Sequence, residues 1–216
     1  MSVILALGVE SGALERAPGD LLVLPFFASD RPLRGPAALA DWRLCGLLTD
    51  HLVEGRVSGK PGEAVLLATG RLFRAPLALA LGLGPRAGFG ADGLRAAARQ
   101  AIVRAVALGA RDIGLAVPPE SGLGVSAERA GEVSLEGAAR ALTERPAALS
   151  LRLLVAEDEA AAVRRGLGEA AARLRSHELG FRWISPPSAG SRPAPAPSPG
   201  RLDRTAAPAG PRSPAP

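Results

Sequence analysis

The sequence predicts a three-layer α/β sandwich around a mostly parallel sheet, on three observations. Short, almost continuously apolar runs recur along the chain, helical repeats separate them, and the pattern stops near residue 184. Strands apolar on both faces and joined through helices belong to sheets covered on both sides.

In chain order, Ser2–Leu7 and Leu21–Phe26 read as strands, each bounded by Gly, Pro or Asp. Pro36–Glu54 reads as one helix, with Leu39, Trp42, Cys45 or Gly46, and Leu48 or Leu52 at helical steps. Glu63–Ala68 and Pro76–Leu81 are two more strands, turned at Gly70-Arg71. The next helix has an apolar stripe of Leu94, Ala98, Ala101, Ala105 and Leu108, with Asp92 as expected N-cap and Gly109 as C-cap. Strand Arg111–Val117, helix Ala127–Leu142, strand Ala148–Ala156 and helix Asp158–Arg175 complete the order ββαββαβαβα. In the last helix Gly166 and Gly168 each cost about 1 kcal/mol relative to alanine.

Of 216 residues, 185–216 hold half of the 20 prolines and four arginines against one aspartate. That tail carries +3 (four minus one) of the net +5, so residues 1–184 hold only +2. Such a proline-rich stretch cannot bury enough apolar surface to offset its ordering entropy, and disorder is expected. The division is therefore one domain, 1–184, and a disordered Pro/Ala/Arg-rich tail, 185–216. A near-neutral domain argues against nucleic acid, except for weak salt-dependent attraction through the tail. The tail's PxPxPSP run also suits an SH3-like groove.

One cysteine and two histidines exclude a disulfide framework and a Cys/His zinc site. The longest apolar runs are too short to span a bilayer, and the N-terminus lacks a basic region before its apolar stretch. A soluble cytoplasmic protein with no cofactor is expected.

Several motifs, taken in order, carry a resemblance. They are Asp20–Phe26, Gly59-Lys60-Pro61-Gly62-Glu63, Leu81-Gly82-Leu83-Gly84, Glu136-Gly137-Ala138, and Leu151–Glu157 with its helix. Together the chain resembles, over residues 1–175, the N-terminal, macro-like domain of the leucyl (cytosol) aminopeptidase family. The resemblance implies a macro-like sandwich. It also implies that the family's two-metal centre belongs to a C-terminal domain whose metal-binding motifs are absent from these 216 residues. No metal site and no peptidase activity are expected.

Two glycine-rich loops follow strands, where open α/β sheets bind ligands. In the first, Gly82 and Gly84 lead toward a helix, with Arg86 beside them; phosphate binding at the helix N-terminus and a plain packing turn are both open. The second, Pro118–Ser126, resembles the diphosphate loop of ADP-ribose-binding macrodomains, with Ser121, Gly122, Gly124 and Ser126 as candidate phosphate contacts. Against that stands Glu120, and Ser126 equally suits an N-cap. Cys45 is expected to be a buried, inert thiol and His51 a solvated capping histidine, while Glu157–Glu159 reads as a helix-start charge cluster.

The function expected is a non-catalytic, stand-alone module for protein binding or regulation, its partner an aminopeptidase or another protein. The alternatives are a nucleotide or ADP-ribose binder, and a residual hydrolase named by its family alone. A monomer or weak dimer with no membrane association is expected.

Overall fold

A computed structural model describes residues 3–119, 123–176 and 179–184. Its strands are β1 (Val3–Ser11), β2 (Leu21–Phe26), β3 (Ala64–Ala68), β4 (Leu77–Gly82), β5 (Asp112–Ala116), β6 (Leu149–Val155) and β7 (Leu179–Trp183). Its helices are α1 (Gly35–Arg43), α2 (Leu47–Val53), α3 (Ala91–Ala107), α4 (Ala127–Glu144) and α5 (Ala160–Leu174). The sheet order is β3-β4-β2-β5-β6-β1-β7, with only the β3–β4 pair antiparallel. That exception follows from connection length: Thr69–Pro76 is a short turn, closed by the Thr69 amide on the Pro76 carbonyl at 3.0 Å, whereas parallel neighbours need a crossover.

All six residues of central β2 are buried, which is why its pattern is continuous rather than alternating. One core lies under α3, α4 and α5, built on Leu5, Leu7, Val23, Ile113 and Leu151; the other lies under α1 and α2, on Leu22, Leu24 and Phe26. This is the three-layer sandwich that the sequence predicts.

The expected Pro36–Glu54 helix is in fact two. Cys45 (φ 56°) and Gly46 (φ 85°) turn the chain out of the helical path. The second helix then starts on the carboxylate of Asp41, 8% exposed, which accepts from the amides of Leu48 (2.8 Å) and Thr49 (3.1 Å) and from the Thr49 hydroxyl (2.5 Å). An acid reaching across the break supplies the N-cap that Gly46 lacks. The stripe also rotates. Ala37, Ala40, Leu44 and Leu48 face the core, while Leu39 is 62% and Trp42 76% exposed. Cys45 is exposed at the break, not buried. Small alanines let α1 lie close to the sheet, and that close packing overrides the larger apolar residues one position away.

In α3, Leu94, Ala98, Ala101 and Ala105 are buried as predicted, but Leu108 is 45% exposed beyond the helix end. The N-cap is Gly90, not Asp92, which lies in the first turn and pairs with Arg95. Gly109 (φ 76°) closes the far end, its amide on the Val106 carbonyl at 3.1 Å. Strand β7, absent from the predicted order, pairs parallel with β1 from Val3↔Leu179 to Leu7↔Trp183. The expected tail, 185–216, and His177 lie outside the described residues.

Candidate functional site

Parallel strands deliver their C-terminal ends, and the loops that follow them, to one rim of the sheet. At the rim the Gly82-Leu83-Gly84 segment leaves β4 with all three amides committed. Gly82 donates to Glu63 O (2.8 Å), Leu83 to Phe26 O (2.9 Å) and Gly84 to Gly59 O (2.8 Å). A Cβ at Gly82 would run into the Lys60 carbonyl, and one at Gly84 (φ 83°) would lie 2.8 Å from Pro61 Cγ. Two of the motifs behind the resemblance, Gly59–Glu63 and Leu81–Gly84, therefore lie against each other. Here the glycines serve close backbone approach.

Glu63 holds the other side of that contact. One carboxylate oxygen accepts from the Ser58 amide (2.8 Å) and hydroxyl (2.9 Å) and from the amides of Gly59 (3.0 Å) and Lys60 (3.2 Å). Bonds from Ser58, Lys60 and Gly59 hold its pKa below the usual carboxylate value. A depressed folded pKa means the stabilisation is present at neutral pH and is lost as pH falls below about 4.5 and through the folded value. Amide exchange should then show Ser58–Lys60 losing protection in that acidic window, and Glu63→Gln should lack the transition. Protection unchanged down to the folded pKa would contradict this role.

Beside the loop lies a crevice of about 260 Å³, lined by Pro25, Phe27, Asp30, Arg34, Arg86 and Pro118 among others. Asp30 is 5% exposed, and Arg86 Nη2 bonds both its oxygens, at 2.7 and 3.0 Å. The Arg86 guanidinium also stacks 4.2 Å over the Phe27 ring, which meets Phe89 edge-on with centroids 4.9 Å apart. Arg86 is thus pinned from two sides. Arg34 is exposed at the start of α1. The crevice joins apolar walls to two cations and one buried acid, a net positive charge that suits an anionic group; Phe27 is 2% exposed, its ring packed under Arg86.

The second glycine loop reaches the same place. Pro118 and Pro119 line the crevice, and Gly124 (φ 67°) packs with a Cβ position 3.4 Å from the Phe89 carbonyl. Ser121 and Gly122 lie outside the described residues. The Ser126 hydroxyl accepts the Arg129 amide at 3.2 Å, capping α4. Loops some forty residues apart therefore converge, and Arg86 is the predicted helper that the fold brings to the crevice. Asp30, Phe27 and Arg34 were not foreseen; the signal was a single acid four residues beyond β2, followed by Arg31 and Arg34.

The remaining candidates stay apart from this crevice's lining. Cys45 sits at the α1–α2 break, and the Nδ1 of His51 lies 3.3 Å from Arg56 Nη1. Among the described residues, no three His, Cys, Asp or Glu side chains converge on a metal position, and no helix is long and apolar enough to cross a membrane. A wider groove of about 690 Å³ opens at the other rim, beside Val3, Arg140, Leu174 and Leu179.

With this geometry in place, comparisons with known proteins agree on the fold. The profile of the cytosol aminopeptidase family, N-terminal domain, matches residues 23–145. A probable cytosol aminopeptidase from Thermosynechococcus vestitus is 32% identical over 126 residues, covering 57% of this chain and 25% of that protein. The chain thus spans about a quarter of that relative's length. Tomato leucine aminopeptidase superposes with a TM-score of 0.60 at 20% identity, over 79% of this chain and 37% of that one. A Trypanosoma brucei macrodomain, solved in complex with ADP-ribose, superposes with a TM-score of 0.61 at 22% identity, over 75% of this chain and 69% of that one.

Proposed function

Since the chain belongs to the cytosol aminopeptidase family through its N-terminal domain, we propose that it is a non-catalytic, regulatory binding module of the cytoplasm whose partner is a protein docked on the outer face of α1. The observation that carries this reading is Trp42, 76% exposed, with Leu39, 62% exposed, one helical turn before it. Leaving such side chains in water forgoes about 1.5–3 kcal/mol each, and a buried tryptophan is a common interface anchor. The partner proposed is the peptidase portion of a cytosol aminopeptidase.

Immobilised wild-type chain should retain, from extracts of the source cell, a protein with leucyl aminopeptidase activity. A Leu39→Ala, Trp42→Ala double variant should retain at least about tenfold less. Equal retention by both would overturn the reading. The chain alone, given leucyl-p-nitroanilide with Mn²⁺ or Zn²⁺, should show no turnover above blank. Chelator-sensitive turnover that survives repurification would refute the non-catalytic half.

The crevice supports a second reading, a nucleotide-type ligand. Its Arg34 and Arg86 set cations among apolar walls at the strand ends. A macrodomain of the same fold has been solved with ADP-ribose. Calorimetric titration of ADP-ribose into the chain at high micromolar concentration should give heat that Arg34→Ala abolishes. No heat from the wild type removes this reading.

A further inference from the structure

Proteins commonly protect sheet edges with charge, proline or a bulge, because an open row of amides and carbonyls pairs readily with another strand. The two edges here differ. β7 carries the exposed Arg182, with Gly180 half-buried. β3 is Ala64-Val65-Leu66-Leu67-Ala68, with no charge, no proline and unbroken pairing to β4 from Ala64↔Leu81 to Ala68↔Leu77.

The bonding parity of β3 can be read from its ends. The Gly82 amide donates to Glu63 O, and the Thr69 amide to Pro76 O. Two-residue steps between them turn the amides and carbonyls of Val65 and Leu67 toward β4, so those of Ala64, Leu66 and Ala68 point outward. Leu66 is 41% exposed, and Leu72, in the turn that follows, is 54% exposed.

We propose that this edge pairs with the same edge of a second copy of the chain, antiparallel about a two-fold axis through Leu66. In that register Ala64 of each copy faces Ala68 of the other, and Leu66 faces Leu66. Each outward donor then meets an outward acceptor. An axis at Val65 or Leu67 would pair only two of the three outward residues within β3, so the axis at Leu66 makes the most bonds. Within the strand no charge meets a charge, and at its flanks Glu63 comes opposite Thr69. An uncharged segment repeated about its own centre is the self-complementary patch that a two-fold interface requires. The occupant is therefore a second copy rather than a foreign strand, for which neither side pockets nor charges here select.

Sedimentation equilibrium from low to high micromolar concentration tests this. The wild-type mass should rise toward twice that of the chain. Leu66→Lys, which opposes two ammonium groups on the axis, should stay monomeric, as should Ala68→Pro, which deletes an outward donor. Circular dichroism establishes that both variants fold. In a Cys45→Ser background, Leu66→Cys should oxidise to a chain-to-chain disulfide, because directly opposed residues of a bonded pair lie within disulfide reach. A wild type monomeric throughout overturns the proposal. So does a dimer that both folded edge variants leave intact, since another surface would then hold it. A monomer that gains mass only with an added foreign protein assigns the edge elsewhere and overturns it too.

Discussion

Gly137→Ala and Gly166→Ala will each destabilise the fold by about 1–3 kcal/mol, although alanine is the better helix former by about 1 kcal/mol. Both glycines mark places where helix backbones touch. A Cβ on Gly137 in α4 would collide with the Arg95 carbonyl of α3, and one on Gly166 in α5 with the Glu128 carbonyl of α4. Gly131 meets the Val163 carbonyl in the reciprocal way, so α4 and α5 lock through paired small residues. The obstacles are backbone, which cannot rotate aside, so whole helices must separate. Gly168, two residues from Gly166, is the control. Its added Cβ meets only Trp183 Cζ2, at 3.8 Å, an ordinary contact. Gly168→Ala should therefore stabilise by about 0.5–1 kcal/mol through propensity alone. Urea unfolding of the three variants decides the matter; a Gly166→Ala protein as stable as Gly168→Ala would refute it.

The second large effect concerns the crevice. Removing Arg86 leaves the carboxylate of Asp30, 5% exposed, without its bidentate partner. Stranding one member of a fully buried pair costs about 3–5 kcal/mol; with the Arg86 side chain 35% exposed, about 2–3 kcal/mol is expected for Arg86→Ala. Adding Asp30→Ala removes the stranded charge, so the double variant should regain much of that loss. A double-mutant cycle in denaturant measures the coupling. An Arg86→Ala variant within about 0.5 kcal/mol of wild type would show that water already satisfies Asp30.

Much of this molecule was legible in the order of its residues, and what escaped has common causes. The buried strands and the α3 stripe were readable because backbone period and solvent exclusion act locally. The α1–α2 break was not, since it depends on Asp41 reaching across to Leu48 and Thr49, and no periodicity encodes a side chain that caps a different helix. The exposure of Trp42 was hidden for a related reason. Helical spacing shows that a stripe exists, while the sheet beneath chooses which stripe, and here alanines fit closest. The crevice was half visible: the glycine loops marked the rim, but the buried acid that holds Arg86 lies 56 residues from it.

By itself the sequence determined the fold class, the concentration of proline and net positive charge in residues 185–216, and the ordered motifs that carry the family. These rest on composition, local period and spacing, which any segment states alone. The tertiary structure decided what those motifs are for. It set Gly59–Glu63 against Gly82–Gly84, turned Leu39 and Trp42 outward, left β3 as an open edge, and separated Gly166 from Gly168 in meaning. Each of those outcomes depends on which atoms arrive from elsewhere in the chain, and contact between distant segments is created only when the chain packs.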